Sequence, residues 1–477
     1  MAFTPSTTDP IDWIEAVSSV DPDRPWLETP AGDIVTYHML HNRVMSMAAK
    51  LTAAGINPGD RIAACTQKSP EAVILYFACL WIGAIYMPLN TGYTPSEINY
   101  FLEDAEPAMF VGDGESRQTH SLAEIAALPE APAAPRARFA PETIAAMLYT
   151  SGTTGRPKGA MLTRANLASN AVALAGAWAI TPDDVLIHAL PIFHVHGLFI
   201  AINSITAAGA KMLFRPKFDP ADVIAQMLRA TILMGVPTFY TRLLGTPAFT
   251  RESTATMRLF ISGSAPLLAE THRQFAARTG HAILERYGMT ETGINTSNPY
   301  DGARIAGTVG PPLPGVEVRI SGAEDGIGSI EVRGPNVFAG YWRNPEKTAA
   351  DFCEGGWFIT GDLGRIDEQG YVHIIGRGKD LIITGGYNVY PKEVEDAIDA
   401  IPGVGESAVI GVPHDDFGEA VVAVVVGTDL DPAEMLATLR TVLAAYKLPK
   451  AIHIVDELPR NTMGKVQKVL LRERYRL

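Results

Sequence analysis

Between Tyr149 and Leu162 the chain reads YTSGTTGRPKGAML. The segment holds three glycines, four Ser or Thr side chains, one arginine and one lysine, with the apolar runs AAMLY and GAML at its two ends. Gly152 and Gly155 let backbone N–H groups converge on one point, because glycine reaches φ > 0 without a Cβ clash. Thr150, Ser151, Thr153 and Thr154 add hydroxyl donors, and Lys158 adds a point charge. Such a loop is suited to cradle phosphate oxygens, although its spacing is not G-x-x-x-x-G-K-[ST]. The plainer reading is a polar loop closing a hairpin.

Four further segments follow at long range: RYGMTET (Arg286–Thr292), GDLGRID (Gly361–Asp367), GRGKDLIITGGYNVYP (Gly376–Pro391) and PRNTMGKVQK (Pro459–Lys468). Each alone reads as turn chemistry. All five in this order and spacing resemble the adenylate-forming superfamily of acyl-CoA synthetases, peptide-synthetase adenylation domains and firefly-type luciferases. The resemblance runs along nearly the whole chain. Within it, FISGSAPLLAETHR, LERYGMTETGINTSNPYDGAR and PRNTMGKVQK are similar to malonyl-CoA synthetases. The stretch between Val111 and Glu142 is shorter than the family's and lies far from the motifs.

The resemblance implies two steps. A substrate carboxylate attacks the α-phosphorus of ATP and releases pyrophosphate; the acyl-adenylate then passes its acyl group to the thiol of coenzyme A, releasing AMP. A carboxylate is already a nucleophile at neutral pH, so step one needs no general base. Its obstacle is one anion approaching another, so catalysis must rest on positioning and positive charge.

The residue roles carried over from the family follow that need. Thr150, Ser151, Gly152, Thr153, Thr154 and Lys158 would hold the β- and γ-phosphates. Glu291 would help hold Mg²⁺, with Thr290 near the α-phosphate; a hard cation on phosphate oxygens and one carboxylate suits Mg²⁺. Outside the resemblance, Glu291 reads as a charge at a helix N-terminus. Ser264, Ala265, Glu285, Tyr287 and Gly288 would line the adenine pocket. Asp362 would accept from the ribose hydroxyls, and Arg377 would make a second ribose or phosphate contact. Lys465 would reach the α-phosphate and the attacking carboxylate. Lys379 would be the hinge, and Gly385 and Gly386 would line the pantetheine tunnel after the swing. His194 would gate the acyl and thiol approach, and His196 is equally well read as a core histidine.

Relatives that take apolar acids carry Gly just before the Tyr-Gly-x-Thr-Glu motif. Here that position is Arg286, and Arg242 in VPTFYTRLL falls where the family's acyl-pocket helix begins. Guanidinium groups aimed at a dry pocket are costly unless an anion joins them. A dicarboxylate supplies it: one carboxylate reacts and the other pairs with arginine. The short reach points to malonate, with methylmalonate second. An internal salt bridge of either arginine, for instance to Glu285 or Glu291, is the competing reading. Another short carboxylic acid, or loading of a separate carrier protein, remains the alternative activity. No Asp-Ser or His-Ser follows Gly355-Gly356 or Gly385-Gly386, so no attached carrier domain is visible.

The elements that must position these residues are legible in outline. At 477 residues the chain is too long for one core, and roughly 100–200 residues per domain predicts two to four units. Hydrophobic residues make up 47% and charged residues 19%, the balance of a soluble globular protein. A net charge of −13 disfavours nucleic acid as a partner. Cys65, Cys79 and Cys353 form neither a disulfide framework nor a metal cluster and suit a cytoplasmic location. Uncharged stretches at 72–89 and 186–210 imitate membrane spans, but Gly83 and Pro88 split the first and three histidines interrupt the second. The first is expected to be a helix at 70–82 running into a strand, and no membrane association is expected. Alternating strand and helix patterns through three quarters of the chain predict layered, largely parallel α/β subdomains. From Gly310, short β-rich runs predict a small antiparallel sheet or barrel. The resulting expectation is an α/β fold: a large domain over 1–378 and a small mobile α+β domain over 379–477, with helices at PKEVEDAIDAI and DPAEMLATLRTVLAAY. A lysine acetyltransferase acting on Lys465 would be the one protein partner, since acylation removes the charge.

Overall fold

Short, almost wholly apolar runs become the central strands of a sheet, because only strands covered on both faces tolerate such composition. Leu259–Ser262 and Ile232–Gly235 are buried at every position. They lie parallel to each other, to Val185–His188 and, through Ile261 and Ser262, to Leu284–Met289. Lys211–Phe214 and Pro25–Glu28 extend the parallel set. Gly293–Ser297 and Ile34–Thr36 close the two edges antiparallel, giving eight strands. The computed structural model describes residues 5–112, 119–128, 136–150, 157–324, 326–385, 387–414, 417–461 and 464–475.

The chain divides into two compact units, Met1–Val318 with Val332–Phe358, and Arg319–Glu331 with Ile359–Leu477. Besides the eight-stranded sheet, the first unit holds a seven-stranded one. Its core strands Arg61–Cys65, Ile85–Pro88 and Met109–Gly112 are parallel. Ile144–Thr150 and Lys158–Thr163 pair antiparallel beside them, with Thr150 opposite Lys158. The helix Pro70–Ile82 starts where Ser69 Oγ accepts from the Ala72 N–H and Pro70 takes the first turn. It is buried from Ala72 to Trp81, so the first uncharged stretch is core, as expected. The second is also core: strand Val185–His188, a π-helical turn His196–Ile202 and helix Asn203–Ala207. Among the described residues no helix is long and apolar enough to cross a membrane. In the stretch before Glu142, the guanidinium of the half-buried Arg136 pairs with Asp9, Asp12 and Glu15.

In the second unit Trp357–Ile366 pairs antiparallel with Val372–Arg377. These strands, with Glu317–Glu324 and Ile327–Arg333, belong to the small antiparallel sheet expected beyond Gly310, and several of them carry the chain from one unit into the other. A second sheet follows, built on the long hairpin of Val404–His414 and Gly418–Gly427, with Ala451–Val455 parallel at its side. Helix Pro391–Asp399 contributes Val394 and Ile398 to its core. The helix expected over DPAEMLATLRTVLAAY starts as read, with Asp431 accepting from the Ala433 and Glu434 N–H groups, but stops at Leu439. Leu443 and Leu448 pack on the same core as Met435 and Leu439, and the chain turns out of the helix to deliver them. Packing overrides propensity there.

Candidate active site

The segment Tyr149–Leu162 lies on two antiparallel strands whose facing ends the structure describes. Ser151, Gly152, Thr153 and Thr154 lie outside the described residues. Thr150 and Lys158 face each other as the last pair of the ladder. Thr150 Oγ1 donates to Glu291 Oε1 at 3.2 Å, and Tyr341 Oη donates to the same oxygen at 3.2 Å. The Lys158 ammonium lies 5.8 Å from the centre of the Tyr341 ring. Two motif residues 141 positions apart thus meet at one buried carboxylate. A cavity of about 220 Å³ flanks these strand ends, with Lys158 and Gly159 among its walls.

Glu291 is in the turn of a tight β-hairpin, Leu284–Met289 to Gly293–Ser297, and not at a helix N-terminus. A Cβ on Gly288 would lie 1.9 Å from the Gly293 carbonyl oxygen, so only glycine closes that turn. Asn170 grips the return strand from beneath. Its Nδ2 donates to Ile294 O at 2.8 Å, and its Oδ1 accepts from Ile294 N at 3.0 Å. Asn336 Nδ2 donates to Thr292 O at 2.8 Å. Thr290 is half-buried in the turn beside Glu291. Among the described residues no group of three His, Cys, Asp or Glu could hold a metal, and Glu291 would be one ligand beside phosphate oxygens. One buried carboxylate with hydroxyl neighbours fits Mg²⁺ in that role.

Ligands of parallel α/β sheets bind beyond the carboxyl ends of the strands. That edge of the eight-stranded sheet gathers Ser264, Glu285, Arg286 and, next to His188, the turn that carries His194 and His196. Arg286 is only 5% exposed, and its Nε and Nη2 have no hydrogen-bond partner among the described residues. The salt bridge to Glu285 or Glu291 considered from the sequence does not form among the described ion pairs. Burial pushes its pKa down to about 9, against the pull of Tyr240. His196 is 1% exposed, with Nδ1 at 3.2 Å from Ser264 Oγ and Nε2 unpartnered among the described residues. Burial first, and the Arg286 charge second, hold its pKa well below the ordinary histidine value, so it is neutral. Ser264 has φ 69, a left-handed conformation that non-glycine residues hold only under constraint. Ala265 follows it, partly buried, in the same bend. Glu285 is buried, with Oε1 accepting from Gly307 N, and Tyr287 and Gly288 are half-buried further along the same strand. His194 is half-buried, and its Nδ1 is 3.5 Å from the His196 N–H.

Arg242 stands differently. It is in the last turn of helix Pro237–Leu244, not at its start as the sequence suggested, and it is exposed. Its guanidinium lies 5.3 Å from the centre of the Phe218 ring, which stacks on Phe239.

The second unit holds the remaining candidates. Asp362 is 4% exposed and ion-paired to Arg377 Nε at 2.8 Å, so the two expected ribose contacts are joined across one ladder rung. Lys379 is exposed in the short 3₁₀ turn Gly378–Asp380. Gly385 has φ 56, and its N–H donates to Phe417 O at 2.8 Å; Gly386 lies outside the described residues. Lys465 is exposed on a turn built for it. Asn461 N donates to Lys465 O at 2.9 Å, and Lys465 N donates to Asn461 Oδ1 at 3.0 Å. The Arg460 guanidinium donates to Gly464 O and pairs with Glu406.

Sequence reasoning missed Tyr341, Asn170, Asn336 and Gly263, and left His196 undecided. Tyr341 and the two asparagines carry no local signature, because their roles exist only through strands far away in sequence. Gly263 stands within FISGSAPLLAETHR, and only the fold shows that a Cβ there would lie 2.3 Å from Arg286 Cζ.

Residues 14–342 match the AMP-binding enzyme family, and residues 393–465 match the AMP-binding enzyme C-terminal domain. The crystal structure of ATP-bound MatB from Rhodopseudomonas palustris is 55% identical and covers 97% of this chain and 98% of its own, with a TM-score of 0.92. The mitochondrial malonate–CoA ligase of Mus musculus is 34% identical over 92% of this chain and 87% of its own length. A feruloyl-CoA synthase from an Amycolatopsis species is 35% identical over 93% and 94%. The chain belongs to the AMP-binding enzyme family and is an acyl-CoA synthetase, an acid–thiol ligase that forms AMP.

Proposed function

We propose that the protein is a malonyl-CoA synthetase: it activates malonate with ATP and transfers the malonyl group to coenzyme A. Relatives of similar identity act on malonate and on ferulate, so likeness alone does not select the acid. The observation that carries the reading is Arg286, a buried guanidinium with two nitrogens unpartnered among the described residues, just beyond the parallel pairing with strand Leu259–Ser262. Such a charge costs several kcal/mol unless an anion meets it. The distal carboxylate of malonate is that anion, and the neutral His196 with Ser264 adds polar contacts without a competing charge. Methylmalonate adds one methyl group and is the second candidate.

In the first step an oxygen of the other carboxylate bonds to the α-phosphorus and the bond to pyrophosphate breaks. Thr150, Lys158 and the loop they frame would hold the leaving phosphates, with Ser264, Ala265, Tyr287 and Asp362 on the nucleoside. Mg²⁺ beside Glu291 would neutralise phosphate charge. The exposed Lys465 would meet the remaining negative charge between carboxylate and α-phosphate. In the second step the thiol sulfur of coenzyme A bonds to the acyl carbon, its proton is lost to solvent, and the bond to AMP breaks. Between the steps residues 379–477 would turn about Lys379 and bring Gly385 to the pantetheine arm. Acylation of Lys465 by a lysine acetyltransferase would remove its charge and silence the first step.

The test is kcat/KM for malonate and butyrate in wild type and Arg286→Gly. Malonate should fall by about 10²–10³, the effect of breaking a buried charge pair, while butyrate should hold or rise. Equal losses on both acids would show that Arg286 serves the fold or the nucleotide, and the malonate reading would fail.

A further inference from the structure

We propose that Gly263 is a specificity-determining residue: the space left by its missing side chain is the seat of the Arg286 guanidinium, so this glycine aims the charge that selects a dicarboxylate. The inference rests on the reading of Arg286 given above.

Strands Leu259–Ser262 and Leu284–Met289 are parallel, with Ile261 beside Leu284 and Ser262 beside Glu285. One step further along the same register, Gly263 comes beside Arg286. In-register neighbours of a parallel pair point their side chains to the same face. A Cβ on Gly263 would lie 2.3 Å from Arg286 Cζ and 2.5 Å from its Nε and Nη1. The guanidinium therefore rests on the bare glycine backbone. Glycine is not needed here for its backbone freedom, since Gly263 does not take a positive φ, while the next residue, Ser264, has φ 69. What glycine supplies at this position is room.

The consequences are directional. Tyr240 is fully buried and engaged, its Oη donating to Ile261 O at 2.6 Å. A methyl group at position 263 would drive the guanidinium back by about 1 Å to regain ordinary contact, from 2.3 Å to beyond 3.4 Å. Misplacing a positioning group by that distance costs on the order of 10²-fold in rate. The loss should fall on the acid that needs the charge and spare the acid that does not.

The experiment places Gly263→Ala in the wild type and in the Arg286→Gly background. It reads kcat/KM for malonate and butyrate, the KM for ATP and the melting temperature. The expected result is a fall of about 10² in the malonate-to-butyrate ratio for Gly263→Ala alone. The ATP KM should be unchanged, and the ratio should not change further when Gly263→Ala is added to Arg286→Gly. Should the methyl group instead destabilise the fold by clashing with Arg286, the double variant, which has the room, should melt above Gly263→Ala. An unchanged ratio, an ATP KM raised alike in both backgrounds, or a double variant as unstable as the single would overturn the seat. If Arg286→Gly itself leaves the ratio unchanged, the malonate reading fails; if it collapses the ratio and Gly263→Ala does not, only the seat fails.

Discussion

Arg286 and Lys465 are the two cations on which the proposed chemistry leans most, and they stand in opposite settings. Arg286 is buried at the carboxyl end of the parallel strands, wedged against Gly263, with two nitrogens unpartnered among the described residues and a pKa pushed down to about 9 by burial. Lys465 is exposed on a short hydrogen-bonded turn. A buried, immobile charge suits selection, because it is costly whenever the wrong ligand is present. An exposed charge carries little desolvation cost, which suits a group needed for only one of two steps. On the proposed mechanism the first would decide which acid, and the second when.

The sharpest way to break the comparison is Lys465→Ala. The first half-reaction should slow by about 10²–10³, the effect of losing one charge aimed at a transition state. Transfer from pre-formed malonyl-adenylate to coenzyme A should be largely spared. Single-turnover measurement of each half separates them, and equal damage to both would make Lys465 a structural residue.

The stability of Arg286 variants sharpens the other side. At pH 7 the folded chain carries a charge that unfolding would hydrate, and that cost is full below about pH 9 and fades as pH rises beyond it. Arg286→Leu should therefore stabilise the ligand-free protein by about 1–4 kcal/mol while abolishing malonate turnover. Malonate should raise the melting temperature of the wild type and not that of Arg286→Leu. A ligand-free variant that melts below the wild type would mean that Arg286 is satisfied by the fold.

Arg242→Ala tests whether exposure is the deciding variable. Arg242 is exposed over Phe218, so its charge is screened by water. Its loss should lower kcat/KM for malonate by about tenfold or less, well short of Arg286→Gly. Equal effects, with a less-than-additive double variant, would show that the two arginines share one carboxylate.

The smallest effect concerns a half-buried carboxyl in the second unit that no proposed step uses. Asp399 Oδ1 has no hydrogen-bond partner among the described residues, and burial, with Glu395 adding to it, pushes the carboxyl up to about 7. The folded chain keeps a proton that the unfolded chain releases near its ordinary value of about 4. The stability this lends is full below that pH and is lost as pH rises through about 7. Asp399→Asn should flatten the pH dependence of melting between about 5 and 8 and leave both half-reactions intact. A wild-type curve already flat in that range would refute the assignment.

The elements were readable where local chemistry decides them. The start of helix Pro70–Ile82 is written in Ser69 and Pro70, and the buried strands in their apolar runs. The end of helix Pro432–Leu439 was not, because the core it feeds also claims Leu443 and Leu448. Glu291 was read as a motif residue, but its setting in a hairpin depends on Asn170 and Asn336, which only the folded chain brings beneath it.

By itself the sequence determined the family, the reaction type and the identity of the charged residues, because phosphate cradles and turns are built from consecutive residues whose types suffice. Arg286 and Arg242 looked alike in that reading: two guanidinium groups near pocket-forming segments. Only the tertiary structure separated them. Burial is a property of what lies alongside, and the strand beside Arg286 is 23 positions away at Gly263. A residue's charge is local, but its free energy depends on the neighbours that exclude water, and those are assigned by the sheet.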